Sequence, residues 1–188
     1  MARNPQRRSE LADAGLRILA REGARGLTHR AIDVEASVPK GTTSNYFKSR
    51  HDVFAGLIDR IGERLAPDPV VHGSLAEQVP SPALFADYIR DIVARLLGNP
   101  DVTLALFELR LEASRRPEIG EILGDWQRSN FAADVEFNIA AGLPGGAKEV
   151  ALFHYAIDGL LLDRLTYPID PETSTDEIVD ALVDGLLR

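Results

Sequence analysis

The sequence predicts an all-α protein: an N-terminal three-helix helix-turn-helix domain joined by a fourth helix to a C-terminal helical bundle. Three observations predict it. Apolar residues recur at helical spacing in almost every segment, capping residues and Pro or Gly punctuate those segments, and no run alternates as a strand would. A chain of 188 residues is long enough to bury a real core, as one large domain or two small ones.

The first helix is expected from about Pro5 to Glu22, on an apolar stripe of Leu11, Ala14, Ile18 and Leu19, with Gly23 and Gly26 ending it. Thr28 is a good N-cap for a short helix over His29–Ala36, and Leu27 and Ile32 sit where a hydrophobic staple would. Pro39 disfavours helical geometry at Val38, which puts a turn near Ser37–Pro39. A second short helix follows over Lys40–Phe47. Ser49 and Asp52 then form a capping pattern for a helix carrying Val53, Phe54, Leu57, Ile58, Ile61 and Leu65. "APDPVVHGSLAEQVPSP" reads as an irregular connector. Beyond it, helices are expected from Ser81-Pro82, Asn99-Pro100 and Pro117, then over Ala147–Thr166 after the "GLPGG" break, and over Thr175–Leu187 with Ser174 and Glu177 as capping box. The expected domains are therefore 1–50, a connecting helix at 51–66, and 67–188.

Composition narrows the function. The net charge of −8 divides into +5 over residues 1–50 and −13 over the rest, so a polyanion would meet the first part only. With no cysteine, disulfides and thiolate metal sites are excluded. No apolar run approaches the roughly 20 residues of a membrane span, and the basic start has no apolar stretch behind it, so a cytoplasmic protein is expected.

Two short helices joined by a tight turn have the shape of a helix-turn-helix, whose second helix enters the major groove of DNA. "VPKGTTSNYF" supplies that second helix. Hydroxyls and amides at Thr42, Thr43, Ser44 and Asn45 suit base edges or phosphates, and small side chains allow close approach. Gly41 removes bulk at the helix start, where the backbone comes nearest a phosphate. Arg30 and Lys40 suit guanine or phosphate; Thr28, Tyr46, Lys48 and Arg50 suit phosphate. Phe47 is assigned to the core.

"GLTHRAIDVEASVPKGTTSNYFKSRHDVF" resembles the DNA-binding segment of tetracycline-repressor (TetR/AcrR) family regulators, with matches at Thr28, Ile32, Ala36, Val38, Gly41, Thr42, Tyr46, Phe47 and Asp52. Departures are Asp33 for a usual Ala, Ser37 for Gly, Ser44 for Tyr and Arg50 for Lys. The resemblance implies a regulator, most often a repressor, that binds a palindromic DNA operator as a homodimer. It also implies that the C-terminal helices bind a small-molecule effector, which releases the DNA, and form the dimer.

Among those helices, Trp126, Phe107, Phe85, Tyr88 and Phe131 suit the wall of an effector cavity and equally an ordinary aromatic core. Leu104, Glu108 and Leu111 complete the candidate set, although Glu108 and Arg110 suit a solvent edge at least as well. Leu160, Leu161, Leu162 and Leu165, with Ile178, Leu182, Val183 and Leu186, leave surplus apolar surface that suits a dimer seam. The candidate interface is Leu161, Leu162, Leu165, Leu182 and Leu186. An all-internal packing of these two helices competes with it.

Nothing supports an enzyme. His29, His51, His72 and His154 are scattered without metal-ligand spacing, and no phosphate loop, nucleophile elbow or cofactor motif is present. The better rival is a protein-interaction module without sequence-specific DNA binding, which leaves the basic segment and the hydroxyl-rich helix without a purpose.

Overall fold

The computed structural model describes residues 4–187. Ten helices are assigned among them: α1 (Pro5–Gly26), α2 (His29–Glu35), α3 (Thr42–Tyr46), α4 (Arg50–Arg64), α5 (Pro69–Ala76), α6 (Pro82–Leu97), α7 (Pro100–Ala113), α8 (Pro117–Ala140), α9 (Ala147–Leu165) and α10 (Thr175–Leu186). The described residues contain no strand, and the all-α expectation holds.

Local chemistry sets the boundaries. Asn4 accepts from the amides of Gln6 and Arg7 at the start of α1, and Gly23 leaves helical geometry near its end (φ 67°). Reciprocal capping boxes open α4 at Ser49/Asp52 and α10 at Ser174/Glu177, where the sequence predicts them. The connector differs from expectation, because Asp68 caps α5 there and Pro69 occupies its first turn. No residue of α5 is buried, so it carries no apolar stripe for periodicity to detect.

The chain forms two compact units. The first runs to Ala66 and includes Asn99–Trp126; the second comprises Pro67–Gly98 and the chain from Gln127. One edge of a unit falls at Ala66–Pro67, and α7 and the start of α8 belong with α1–α4 rather than with residues 67–98. Leu11, Leu16, Ile18 and Leu19 of α1 pack with Ile32, Phe47, Phe54, Leu57 and Ile61, and with Val102, Ala105 and Leu109 of α7. Each large side chain so buried contributes roughly 1.5–3 kcal/mol. The second unit buries Leu84, Phe85, Ile89 and Val93 of α6, Phe153, Ile157 and Leu161 of α9, and Val179 and Val183 of α10.

In the first unit, Arg60 donates to both oxygens of Asp13 at 2.9 and 2.8 Å. Arg64 adds a bond to Asp13 at 3.1 Å and one to Asn99 at 2.9 Å. This network ties α1, α4 and the start of α7. Burial pushes the Asp13 carboxyl up, but the hydrogen bonds and charges of Arg60 and then Arg64 outweigh it, leaving its pKa below the usual carboxylate value. A lowered pKa stabilises the fold above the unfolded value, and that contribution is lost as pH falls through the folded one. Asp13→Asn is expected to cost about 1–2 kcal/mol in urea unfolding at neutral pH, with the gap to wild type closing below about pH 4.

The turn between α2 and α3 is a Schellman motif. Val38 N–H bonds Asp33 O at 2.9 Å and Ser37 N–H bonds Val34 O at 3.0 Å. Ser37 takes the left-handed position (φ 53°) that glycine usually fills. Ser37→Val is expected to destabilise by about 1–2 kcal/mol, because a β-branched side chain is strained there. Ser37→Gly should be neutral or gain up to about 1 kcal/mol, and thermal unfolding of the pair checks both.

Candidate nucleic-acid interface

The helix-turn-helix is assembled by hydrogen bonds that cross from α2 to α3. Asp33, buried at the end of α2, accepts from Gly41 N–H at 2.7 Å, Thr43 N–H at 2.7 Å and Thr43 Oγ1 at 2.6 Å. Desolvation raises the pKa of this carboxyl; the bonds from the Thr43 side chain, then the Thr43 and Gly41 amides, together with the nearby His29, bring it below the usual value. At the other end of α3, His29 Nε2 lies 2.9 Å from Phe47 O. A carbonyl only accepts, so Nε2 carries the proton. Phe47 itself is buried. The Arg8 guanidinium stands 4.5 Å from its ring centroid, and a Cβ at Gly56 of α4 would fall 2.4 Å from Phe47 Cε1.

These bonds sort the predicted contact residues. Arg30, Lys40, Ser44, Asn45 and Lys48 are exposed. Arg30, Lys40 and the Asn45 carboxamide engage none of the described residues by hydrogen bond or ion pair. Thr28 Oγ1 accepts from Ala31 N–H at 3.1 Å as the cap of α2, which leaves its proton to donate outward. Thr42 and Ser44 donate to Pro39 O and Gly41 O, at 2.6 and 2.8 Å, and present acceptor oxygens only. Tyr46 is half-buried against the core, and Lys48 Nζ bonds Ser44 O at 3.1 Å.

Two expectations are corrected. Thr43 is 0% exposed, because its hydroxyl turns inward to Asp33, so it has no surface for DNA. The Gly41 amide is occupied by Asp33, which removes it as a phosphate donor. What requires glycine here is φ 91°, since a Cβ would meet nothing within 4 Å. Arg50 remains exposed; it also donates to Ala24 O at 2.7 Å and stands over the Phe54 ring, so it ties α4 to the end of α1. His29 and Asp33 carry the assembly, and sequence reading did not pick them out as such.

The residues predicted for a dimer seam lie in the second unit. On α9, Tyr155 is 71% and Leu162 49% exposed, and Gly159 is open. Tyr155 and Gly159, with Leu160, Ile169, Ile178 and Leu182, line a shallow groove of about 400 Å³. Leu165 and Leu186 are half-buried. Leu161 is 0% exposed; one residue of helix rotation turns it into the unit's own core, so it has no surface to give a partner.

The predicted effector residues are divided between the units. Leu104, Phe107, Glu108, Leu111 and Trp126 belong to the first, and Phe85, Tyr88 and Phe131 to the second. Leu111 is exposed at 52%, Trp126 packs against the first core, and Glu108 faces Gly23. Within the second unit, Phe85 stacks at 4.7 Å from Phe153, and Tyr88 meets His72 and Phe137 at 5.2 and 5.1 Å. Phe131 meets His154, which lies 3.0 Å from Asp134. Asp91 lies 3.3 Å from His72. No group of His, Asp or Glu among the described residues is arranged to hold a metal, and no helix is long and apolar enough to cross a membrane.

A family model described as the tetracyclin repressor-like C-terminal domain matches residues 80–188. Curated protein sequences give no match. Among solved structures, the multidrug binding protein EbrR in complex with imidazole is 25% identical, covering 98% of this chain and 97% of its own, with a TM-score of 0.68. A TetR-family member from Streptomyces coelicolor A3 is also 25% identical, covering 98% and 99%, with a TM-score of 0.73. A transcriptional regulator from Rhodococcus sp. Rha1, at 20% identity, 96% and 95% coverage and a TM-score of 0.70, shares the fold. The matched domain spans more than half the chain, and the helix-turn-helix precedes it: the chain belongs to the tetracycline-repressor (TetR) family of transcriptional regulators.

Proposed function

We propose that the protein is a homodimeric repressor that reads a palindromic operator through α2 and α3 and releases it when a small molecule binds. Residues 1–50 are the reading head, 51–66 the connecting helix, and 67–188 the effector and dimer region, although 99–126 of that region fold in the same unit as the head. The observation that carries this reading is the outward set of unengaged polar groups at Arg30, Lys40 and Asn45 beside a helix held at both ends. A free carboxamide suits the paired donor and acceptor of adenine, and a free lysine suits guanine or phosphate. Two such heads enter successive major grooves when their recognition helices stand about 34–36 Å apart.

The half-exposed Leu162, Tyr155 and the open Gly159 support a seam along α9 and α10. For the effector, EbrR has been solved with ethidium, proflavin and malachite green. The rings of Phe85, Tyr88, Phe131, Phe137 and Phe153 in the second unit favour a small aromatic molecule here, which acts by binding one dimer geometry better than another. Ethidium or proflavin is expected to raise the unfolding temperature and release bound DNA. Stabilisation without release would remove the effector half of the reading and leave the DNA half standing.

Lys40→Ala and Asn45→Ala should each weaken a selected operator duplex by about 1–3 kcal/mol and relax preference at particular base pairs. Lys48→Ala should weaken all duplexes alike and flatten the salt dependence. Gel-shift titrations at several salt concentrations test this, and equal affinity for operator and random duplex in the wild type contradicts the reading.

Leu162→Glu is expected to give folded monomers in sedimentation, because it places a charge in the seam but leaves the core intact. Leu161→Glu should instead unfold the second unit. A wild-type monomer that binds one palindrome tightly counts against the dimer.

A further inference from the structure

The recognition helix is too short to hold itself. α3 has five residues, and isolated helices of that length are not stable in water. Its N-cap, Gly41, offers no side chain to its free amides. The bonds that α3 lacks come from α2. Asp33 takes the Gly41 and Thr43 amides and the Thr43 hydroxyl. His29 donates to Phe47 O, the residue that ends the helix.

His29 and Asp33 are four residues apart, so they share one face of α2 and stand about 6 Å apart along it. That is close to the length of α3. Each also has the polarity its end of α3 requires, an anion at the amino end and an N–H donor at the carboxyl end. Neither has a place in a DNA contact. The Asp33 carboxylate is buried and its acceptor capacity is turned inward, and a carboxylate facing the duplex would repel phosphate. The Nε2 proton of His29 is committed to Phe47.

We propose that His29 and Asp33 form a two-point clamp on α3: positioning residues that set sequence discrimination without touching DNA. The inference rests on the DNA-binding reading above. A residue that only stabilises the fold lowers affinity for all duplexes together, in proportion to the folded fraction. A clamp that aims the helix changes the ratio between the right duplex and a wrong one, because phosphate contacts tolerate misalignment that base contacts do not.

The probe is a duplex enriched by the wild-type protein from a randomised library, compared with a scrambled duplex of equal composition. Asp33→Asn puts an amide NH₂ where one of the two carboxylate oxygens accepts; His29→Ala removes the donor to Phe47. At a temperature where circular dichroism shows both folded, each is expected to lose about tenfold or more in affinity for the enriched duplex. Affinity for the scrambled duplex should stay within about twofold and the salt slope should be unchanged, since no phosphate contact is lost. His29→Gln, which retains an N–H donor, should recover most of the discrimination. If Asp33→Asn does not fold, Thr43→Val removes only the hydroxyl donation and should show a smaller loss with the same ratio signature. Equal losses on both duplexes, or wild-type ratios in the variants, overturn the clamp alone. A wild-type protein that enriches no sequence overturns the DNA-binding reading and the clamp with it.

Discussion

A five-residue helix that must present side chains in a fixed direction depends on bonds from outside itself. Here those bonds come from a buried carboxylate. Three donors converge on Asp33 at 2.6–2.7 Å, and its own carbonyl closes the preceding Schellman turn. One residue therefore ends α2, shapes the turn and starts α3. Burying a carboxylate is costly unless its lone pairs are filled, and filling them is what fixes the position of Gly41 and Thr43. The hydroxyl at Thr43, exposed in a naive reading of the sequence, is part of that satisfaction.

The rest of the first unit extends the same constraint. Phe47 sits in a slot that only glycine at position 56 leaves open, under the Arg8 guanidinium. Arg50 closes the end of α1 through Ala24, and Arg17 and Arg21 pair with Glu35. Much of the basic excess of residues 1–50 is thus spent on internal bonds. The charge that remains outward is a small set, Arg30 and Lys40 above all. Net charge overstated how many of this segment's cations face solvent unpaired.

Capping chemistry was the most legible part of the sequence. Ser49/Asp52, Ser174/Glu177, Thr28 and Ser81 act through neighbours three residues away, so their partners are visible in the sequence itself. The family's DNA-binding segment was legible for the same reason, as a local pattern. What was not legible is non-local. Asp33 reaches Thr43 across a turn, and His29 reaches Phe47 over 18 positions; periodicity assigns a face to each helix but not the neighbour that covers it. Leu161 and Leu162 show the same limit. On a helix apolar all round, a rotation of one residue decides which leucine is core and which is surface. The aromatic residues grouped by composition at 85–131 were likewise divided, because α7 folds with the first unit and α6 with the second.

These ties constrain how the proposed regulation operates. α3 is fastened to α2 at both ends, to α1 through Arg8 and Tyr46 O, and to α4 through Phe47 and Gly56. Moving α3 alone would break buried charge-assisted bonds and open a packed slot, each costing on the order of 1–3 kcal/mol. Moving the head as one body breaks none of them. Asp13, Arg60, Arg64 and Asn99 extend that body to the start of α7. An effector acts only through its differential affinity for two states. In the proposed dimer the cheaper pair of states differs in the distance between two intact heads, so a ligand that released DNA would do so by changing that spacing rather than by unfolding or rotating the recognition helix.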